Sequence, residues 1–447
     1  MRYFFCVALL LAGTASVADM AENAHRAKAE GIDVVTYHTT VKDVVVIVGA
    51  LPAGDAMAGS GNIAIPTLSG MMLDRGTKTL DKFAIAEKLN NVGAQVAFEV
   101  GAQSLEVRAK CLRKDLPLVM GLIAAELRTP ALTPAEFNKA KQEFIGALQA
   151  SAQNTGARSE EAFTRAIFPA GHPNRPHTWK EFAAAAKTAS LEDLKVFQAK
   201  YYGPAHFTLV LAGDVADDEV RAAVGKVFAG WSGGEDYVRP AAPAVAGAAT
   251  TVSVPLAEKP SVSVILGQAS GLRYKDADSL PLRVGTTILG LGFTGRLMST
   301  VRDQEGLTYN IGAAVSDDTI ADGSWDISAT FAPSLLDKGL ASTRRELQKW
   351  WSEGVTEQEL AARKEGMLGS YFVGMSTTGG IANQILVNLQ RGYEVAWLDE
   401  YPKALQAVTR AQVNAAIKAH LDPAKMVLIE AGSVPSALPG AGSGPGS

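Results

Sequence analysis

An internal repeat constrains the fold of this chain more than any other feature. Three pairs of segments resemble each other in the same order along the chain: 132–148 with 355–371, 190–193 with 409–412, and 201–215 with 420–434. In the last pair, Pro204 aligns with Pro423 at an offset of 219 residues, and the Gly near the end of each segment keeps the same offset. Matches that recur in order indicate a duplicated structural unit. A chain of 447 residues also exceeds what one hydrophobic core usually serves, so two domains are expected.

Each copy of the repeat carries the same order of predicted elements. Both begin with β-rich segments, 33–51 and 251–269, continue with helical stretches, and close on a strand that ends in Gly. Several helix starts carry a capping-box pattern, in which two side chains three residues apart each accept a hydrogen bond from the other's backbone N–H. These pairs are Thr133–Glu136, Ser190–Asp193, Thr356–Glu359 and Thr409–Gln412. The pattern predicts an α+β protein with two homologous domains, each a β-sheet packed with helices.

Both ends of the chain and one internal segment have compositions unlike a folded core. The N-terminus has a basic Arg2, an apolar run and small residues before Asp19, which is the order typical of a secretory signal peptide cleaved near Ala18. A buried N-terminal strand or helix is the alternative. Segments 232–251 and 436–447 are rich in Gly, Pro and small residues, which predicts a linker and a disordered tail.

The domain prediction follows from these boundaries. It comprises a signal peptide at 1–18, an N-terminal domain at 33–231, a linker at 232–251, a C-terminal domain at 252–435 and a tail at 436–447. The signal peptide predicts a periplasmic or secreted protein. A net charge of −4 without a Lys/Arg run argues against a nucleic-acid partner. No later apolar run has membrane length, so we expect no membrane partner.

The segment GNIAIPTLSGMMLDRGTKT (61–79) has the outline of a helix that ends before a Gly-Thr turn. With its repeats, the chain resembles the pitrilysin-type peptidases over about residues 33–434. This family includes insulin-degrading enzyme and mitochondrial processing peptidase. Its helix carries H-x-x-E-H, in which two His bind zinc and the Glu is the general base, and a downstream Glu completes the site.

The register of the Gly-Thr turn places Thr67, Gly70 and Met71 at the positions of the first His, the Glu and the second His. The downstream Glu falls at Ala147 or Leu148. A thioether and a neutral hydroxyl are poor zinc ligands, and Gly70 cannot accept a proton. We therefore expect a plain packed helix, no metal and no cofactor in this chain. The pair His172 and His177 lies in a Pro-rich loop, HPNRPH, whose spacing does not suit zinc.

The second half keeps a different part of the family pattern. The segment LGLGFTGRLMSTVRDQEGLTYNIGA (289–313) resembles the family's Gly-rich turn, helix and strand, and Arg302 and Tyr309 have the seven-residue spacing of its Arg and Tyr. The resemblance implies that Arg302 holds a substrate main-chain carbonyl and that Tyr309 donates to the scissile carbonyl oxygen as it becomes an oxyanion. The alternative is a surface Arg paired with Asp303 or Glu305, and a Tyr packed in a sheet.

The combination of a lost zinc site and a retained Arg/Tyr pair has a parallel in the family. Some members work as pairs, in which an H-x-x-E-H subunit and an Arg/Tyr subunit face each other as half-chambers. The resemblance implies that this chain is the zinc-free subunit of a heterodimeric zinc endopeptidase, inactive alone. Peptides would add as a strand to a sheet edge, within Ala94 to Val100. A non-catalytic scaffold and a chaperone-like peptide-binding protein of the same fold are the alternatives.

Overall fold

The structure is a computed structural model that describes residues 19–235, 244 and 247–434. The predicted signal peptide and tail lie outside the described residues, as do residues 236–243, 245 and 246 of the predicted linker. Within the described ranges, no helix is both long enough and apolar enough to cross a membrane.

The first half of the chain builds a six-stranded sheet. Its strands are β1 (Ala24–Ala29), β2 (Ile32–His38), β3 (Val44–Leu51), β4 (Gln95–Val100), β5 (Leu105–Leu112) and β6 (Thr208–Gly213). The strand order is β1-β2-β6-β3-β5-β4, with β2 and β6 parallel and the other neighbours antiparallel. Because β4 is the last strand in this order, one side of its backbone pairs with no other strand among the described residues.

The first half of the chain also contains eight α-helices among the described residues. They are α1 (Ile65–Met71), α2 (Lys82–Asn91), α3 (Leu116–Arg128), α4 (Pro134–Ser151), α5 (Thr155–Ile167), α6 (Trp179–Thr188), α7 (Leu191–Tyr201) and α8 (Asp217–Phe228). The short α1 packs against β4, α4 and α7. Its Leu68 is fully buried in the same apolar core as Ile47 of β3 and Val119 of α3. This packing fixes the helix that corresponds to the family's zinc helix.

The second half builds a five-stranded sheet in the order β7-β11-β8-β10-β9. Its strands are β7 (Thr251–Pro255), β8 (Val262–Ala269), β9 (Thr308–Ser316), β10 (Ser324–Phe331) and β11 (Val427–Gly432). Its helices are α9 (Ser279–Gly290), a π-helix (Met298–Gln304), α10 (Leu336–Glu353), α11 (Glu357–Gly374), α12 (Thr378–Gln390), α13 (Trp397–Ala407) and α14 (Arg410–His420). Strands β6 and β11 differ by the same 219 residues as the sequence repeat. The predicted α+β class with two homologous units is confirmed, while the exact domain boundaries stay a prediction.

Each sheet is covered by a helix from the other half of the chain. Helix α5 packs on β8 and β11, and its Phe163 shares an apolar cluster with Ile265 and Ile429. Helix α12 packs on β3 and β6, where Ile385 shares a cluster with Val48. This exchange joins the two halves into one body. Nothing in the repeat pattern predicts it, because the repeat gives the order of the helices and not the sheet on which each one lies.

The HPNRPH loop adds a polar connection between the halves. The Nε2 atom of His172 lies 3.0 Å from Oδ1 of Asp322, and both side chains are almost fully buried. The amide of Asn174 donates to the backbone oxygen atoms of Asp317 and Asp322. The His172 ring also stacks on Phe168, with 4.4 Å between ring centres. These contacts give the loop a structural role.

Three of the four predicted capping boxes form with both hydrogen bonds, at Ser190, Thr356 and Thr409. For the fourth pair, Thr133 and Glu136, only one of the two predicted hydrogen bonds forms. Thr133 accepts from the backbone N–H of Glu136, but the Glu136 carboxylate lies 2.6 Å from Nζ of Lys82 and 3.3 Å from the guanidinium of Arg75. Charge-assisted bonds are stronger than a bond from a neutral N–H, so the cations hold this carboxylate away from the helix start.

Candidate functional site

Thr67 of α1 takes part in a structural hydrogen bond. Its hydroxyl donates to Oδ1 of Asp55, at 2.7 Å. Asp55 belongs to a short 3₁₀ turn, Asp55–Ala58, that packs against α1. Burial raises the pKa of Asp55 to about 6, and the bond from Thr67 partly opposes this shift. The group at the first His position therefore ties α1 to the turn before it.

Gly70 has no room for a side chain. A Cβ atom built there would lie 2.3 Å from Cγ2 of Val100, the last residue of β4. Real Cβ atoms essentially never approach that closely. Val100 therefore occupies the space into which a Glu at position 70 would extend. The general base is absent, and an apolar side chain fills its place.

The remaining zinc-site positions are also unsuited to a metal. Met71 lines a hollow of about 260 Å³ together with Thr67, Gly70, Phe98 and Val100, and the hollow's other lining residues are Asp74 and Arg75. On α4, Ala147 is exposed and Leu148 is half-buried. Across the described ranges there is no group of three His, Cys, Asp or Glu side chains that could hold a metal ion. The residues present do not fit zinc.

Arg75 places a positive charge next to this hollow. Its Nε donates to the backbone oxygen of Met71 at 2.8 Å, and its guanidinium pairs with Glu136 and Glu143 of α4. A fixed guanidinium repels a cation, and here it also engages the carboxylates on the neighbouring helix. The electrostatics of the hollow thus oppose metal binding as well.

The Arg302 and Tyr309 pair lies on an unusual piece of backbone. The helix that carries Arg302 is a π-helix, in which the N–H of Glu305 donates to the oxygen of Thr300, five residues back. The helix ends at Gln304, and Gly306, two residues further on, has a φ of 64°, which suits glycine. Such π segments are rare and are frequent at functional sites.

A β-bulge sets the direction of Tyr309. Ile311 pairs with Ala329 and Thr308 with Phe331, so two residues of β9, Tyr309 and Asn310, face a single residue of β10. The hydroxyl of Thr308 donates to the backbone oxygen of Thr330 at 2.6 Å and stabilises this kink. Bulges re-aim side chains, and Tyr309 is 84% exposed. The alternative in which this Tyr packs within the sheet is therefore wrong.

Arg302 lies between two aromatic rings. Its Cζ atom is 5.0 Å from the centre of the Phe293 ring and 5.1 Å from that of Tyr309. Phe293 belongs to the Gly-rich turn and is 70% exposed. Cation–π contacts of this kind hold a guanidinium in place without using its N–H donors.

The donors of Arg302 have few partners in this chain. Its nearest carboxylate is Asp303, at 3.9 Å from Nε, and Glu305 pairs instead with Arg345. Among the described residues, no acceptor lies within hydrogen-bond distance of the Arg302 guanidinium. Apart from the loose ion pair with Asp303, which the alternative predicted, the five N–H donors of this group have no acceptor within the described part of the chain and are open to one from outside.

Comparisons with known proteins show which family part of the chain matches and which fold it shares. Residues 188–367 match the family described as the Peptidase M16 inactive domain. The chain is 25% identical over 320 residues to an uncharacterized zinc protease of Streptomyces coelicolor, covering 70% of this chain and 69% of that protein. It is 22% identical over 377 residues to the non-peptidase homolog YmxG of Helicobacter pylori, covering 83% and 85%. The crystal structure of a peptidase M16 inactive domain from Pseudomonas fluorescens has the same fold, with a TM-score of 0.84 at 23% identity over 93% of this chain and 100% of that one.

Residues 188–367 thus match the M16 inactive-domain family, and the chain has the fold of an M16 inactive domain. The helix that the resemblance aligns with the zinc helix carries neither the His ligands nor the Glu, as in the names of the relatives it matches, an inactive domain and a non-peptidase homolog. Two residues that shape the chain's sites were not recognised from the sequence. The role of Val100 could not be predicted from the sequence, since its approach to Gly70 depends on how β4 packs against α1. The role of Phe293 had one weak indication, which is that a large apolar residue lies inside a Gly-rich turn.

Proposed function

We propose that this M16 chain is the zinc-free subunit of an exported heterodimeric zinc endopeptidase, in which Arg302 and Tyr309 act on a peptide that is cleaved at the partner's metal. The observation that carries the proposal is the open Arg302–Tyr309 pair. A guanidinium whose donors are unoccupied stands beside a phenol that is 84% exposed. The partner would be an M16 homologue with H-x-x-E-H, which supplies the zinc and the general base for amide hydrolysis.

Arg302 has the properties that carbonyl binding requires. It stays charged at all working pH values and presents donors in a rigid plane. The rings of Phe293 and Tyr309 hold that plane from two directions. A substrate main-chain oxygen that approaches from the solvent side would meet donors that are already oriented, which lowers the entropy cost of binding.

Tyr309 would act through its hydroxyl. A neutral phenol donates a hydrogen bond that strengthens as negative charge develops on the carbonyl oxygen. In the isolated chain the ring faces water, where such a bond has little value. A partner surface that covers the pair would exclude water and raise the contribution of the donor. Because the Tyr309 hydroxyl would contribute only when a partner surface covers it, we expect the subunit to be inactive alone.

The edge strand β4 would hold the substrate. Its outer backbone is unpaired, and Val96, Phe98 and Val100 alternate as half-buried side chains along it. A peptide added to this edge would gain main-chain hydrogen bonds with little dependence on its sequence. Export would follow from the predicted signal peptide at 1–18.

The test is reconstitution with an exported H-x-x-E-H homologue from the same host. The isolated chain, the isolated partner and their mixture are assayed on a quenched fluorescent peptide without stable structure. We expect activity in the mixture that a chelator removes, and none from this chain alone. A mixture that contains the Arg302→Gln and Tyr309→Phe double variant should form the same complex by gel filtration and lose the activity. Full activity in the isolated chain, or in the mixture with the double variant, contradicts the proposal.

A second candidate is peptide binding without hydrolysis. The hollow at the former zinc position is lined mainly by Met71, Phe98 and Val100 on its apolar side and lies beside the unpaired edge of β4. Such a hollow can accept an apolar side chain of an added strand. Binding of a labelled peptide to the isolated chain, lost on Phe98→Asp but unaffected by Tyr309→Phe, would favour this candidate.

A further inference from the structure

A pocket in the second half of the chain is separate from both sites described above. It encloses about 330 Å³ between the segment before α9, the first turns of α9, the segment after α12 and one face of α13. On α13, the lining residues Trp397, Tyr401 and Ala404 follow the i, i+4, i+7 spacing of one helix face. Tyr274 and Tyr393 complete an aromatic lining. Small-molecule pockets begin at about this volume.

The aromatic lining is held in place before any ligand binds. Tyr393 and Trp397 stack with 4.1 Å between ring centres and 11° between planes. Behind Tyr401, the ring of Tyr371 lies at 4.8 Å, and its hydroxyl donates to the backbone oxygen of Leu398 at 2.8 Å. A binding wall that is rigid in the free protein loses less entropy when it is occupied.

Several polar groups around the pocket lack partners. The hydroxyls of Tyr274, Tyr393 and Tyr401 make no hydrogen bond to another described residue. Burial raises the pKa of Tyr393 and of Tyr401 to about 12, so these phenols remain donors at neutral pH. The pocket therefore offers donors to an acceptor.

The charges around the pocket favour an acid over a base. Lys275 and Arg283 line it, and the Cζ of Arg391 lies 3.5 Å from the centre of the Tyr274 ring without a carboxylate partner in the described part of the chain. Of the acidic groups, Asp276 also lines the pocket, and Asp318 is engaged with Arg283. Among the residues that line the pocket, there are thus two cations, Lys275 and Arg283, and one carboxylate, Asp276. An aromatic cage alone would suit a cationic ligand, but here cations already occupy the ring faces of Tyr274 and Tyr393.

We infer that this pocket binds a single aromatic ring that carries a carboxylate on a short arm. The ring would pack against Trp397 and Tyr401, and the carboxylate would lie towards Lys275 and the phenol hydroxyls. A free aryl-alkanoic acid and the C-terminal aromatic residue of a peptide share this chemistry. The inference is independent of the proposed peptidase role, since it uses neither Arg302 nor Tyr309.

Isothermal titration calorimetry of the whole chain tests the inference with four probes. They are N-acetyltryptophan, its carboxamide, tryptamine, and a tetrapeptide that ends in Trp with a free carboxylate. We expect N-acetyltryptophan to bind with a Kd of about 1 mM or tighter, and the carboxamide and tryptamine to bind at least about tenfold more weakly. Tighter binding of the peptide would assign the pocket to peptide C-termini, and equal binding would assign it to free acids; both results support the inference.

Variants locate the binding. Trp397→Ala should abolish it, Ala404→Phe should abolish it by filling the pocket, and Lys275→Met should weaken it several-fold. The other half of the chain supplies the controls, because Trp179 begins α6 and the Nζ of Lys180 lies 5.7 Å from its ring centre. Trp179→Ala and Lys180→Met should leave binding unchanged. Circular dichroism and the Tm identify variants that fail to fold. No binding by the unaltered chain, tighter binding of tryptamine, or full binding by folded Ala404→Phe would each overturn the inference.

Discussion

The two regions that correspond to the family's active site have opposite characters in this chain. Around α1, the polar groups have partners in this chain and the available space is filled. Thr67 bonds to Asp55, Val100 fills the space at Gly70, and Arg75 binds the carboxylates of α4. Around the π-helix, the donors of Arg302 lack acceptors and Tyr309 faces water. The first region resembles an ordinary protein interior, whereas the second resembles half of an interface. The region aligned with the zinc site is thus packed as an interior, while the two groups that we propose to touch substrate stay available.

The largest expected effect tests the role of the region around Arg302 and Tyr309. Tyr309→Phe removes one hydroxyl from an exposed side chain, so the fold should not change, but the reconstituted complex should lose about 10²–10³-fold in kcat because an oxyanion donor is gone. KM should change little, since the donor acts mainly in the transition state. Steady-state kinetics on the quenched peptide give both values. Tyr201→Phe, on α7, is the matched control, and an equal loss there would remove the special status of Tyr309.

The second prediction tests whether Val100 fills the space next to Gly70 on α1. Gly70→Ala adds a methyl group where Cγ2 of Val100 already lies, 2.3 Å from the new Cβ, and the β-branched Val side chain has few alternative rotamers. We expect the free energy of unfolding to fall by about 1–3 kcal/mol, although Ala is the better helix former by about 1 kcal/mol. Urea denaturation measures the change.

Two further variants decide the cause of that change. Adding Val100→Ala to Gly70→Ala should recover part of the loss, because the clashing methyl group is removed. Gly146→Ala, on α4 with nothing within 4 Å of its added Cβ, should be neutral or slightly stabilising. If Gly70→Ala is as harmless as Gly146→Ala, Val100 does not occupy the position of the base.

The third prediction concerns pH. Asp55 has an ordinary pKa of 3.8 and a folded pKa of about 6, raised mainly by burial. The unfolded state then releases this proton at lower pH than the folded state does, so the ionised group destabilises the fold increasingly as pH rises from about 4 to 6. Asp55→Asn keeps an acceptor for Thr67 and should gain about 1–2 kcal/mol over the unaltered chain between pH 4 and pH 7.5. Urea midpoints at both values give the difference, and a pH-independent difference would contradict the assignment.

The sequence predicted local features better than those that depend on packing between distant segments. The repeat and three complete capping boxes are patterns of the sequence itself, whereas the strand after Gly306 and the sheet edge within Ala94 to Val100 were expected from the family resemblance. The exchange of α5 and α12 between sheets follows from neither, since both helices simply present apolar faces. The bulge at Tyr309 and Asn310 also escaped prediction, because neither residue is a Gly that would mark it.

For the candidate site, too, the sequence predicted which positions lie together but not how distant segments pack against them. The register of the Gly-Thr turn located Thr67, Gly70 and Met71, and the hollow indeed brings these three together. That register could not show that Val100 closes the space, because strand pairing sets how far β4 extends past α1. Likewise, the spacing of Arg302 and Tyr309 could not show that a third side chain, Phe293, lies on the other side of the guanidinium.

The smallest expected effect tests that third side chain. Phe293→Ala removes one of the two rings that flank Arg302, at 5.0 Å from its Cζ, and exposed cation–π contacts contribute about 0.5–1 kcal/mol. In the reconstituted complex we expect kcat/KM to fall by about two- to fivefold, with Phe293→Tyr restoring it because the ring is retained. Leu291→Ala is the control, since Leu291 is half exposed in the same turn but offers no ring to the guanidinium. An equal loss with Leu291→Ala would mean that the turn serves as a contact surface for the partner, and that Tyr309 alone is enough to orient Arg302.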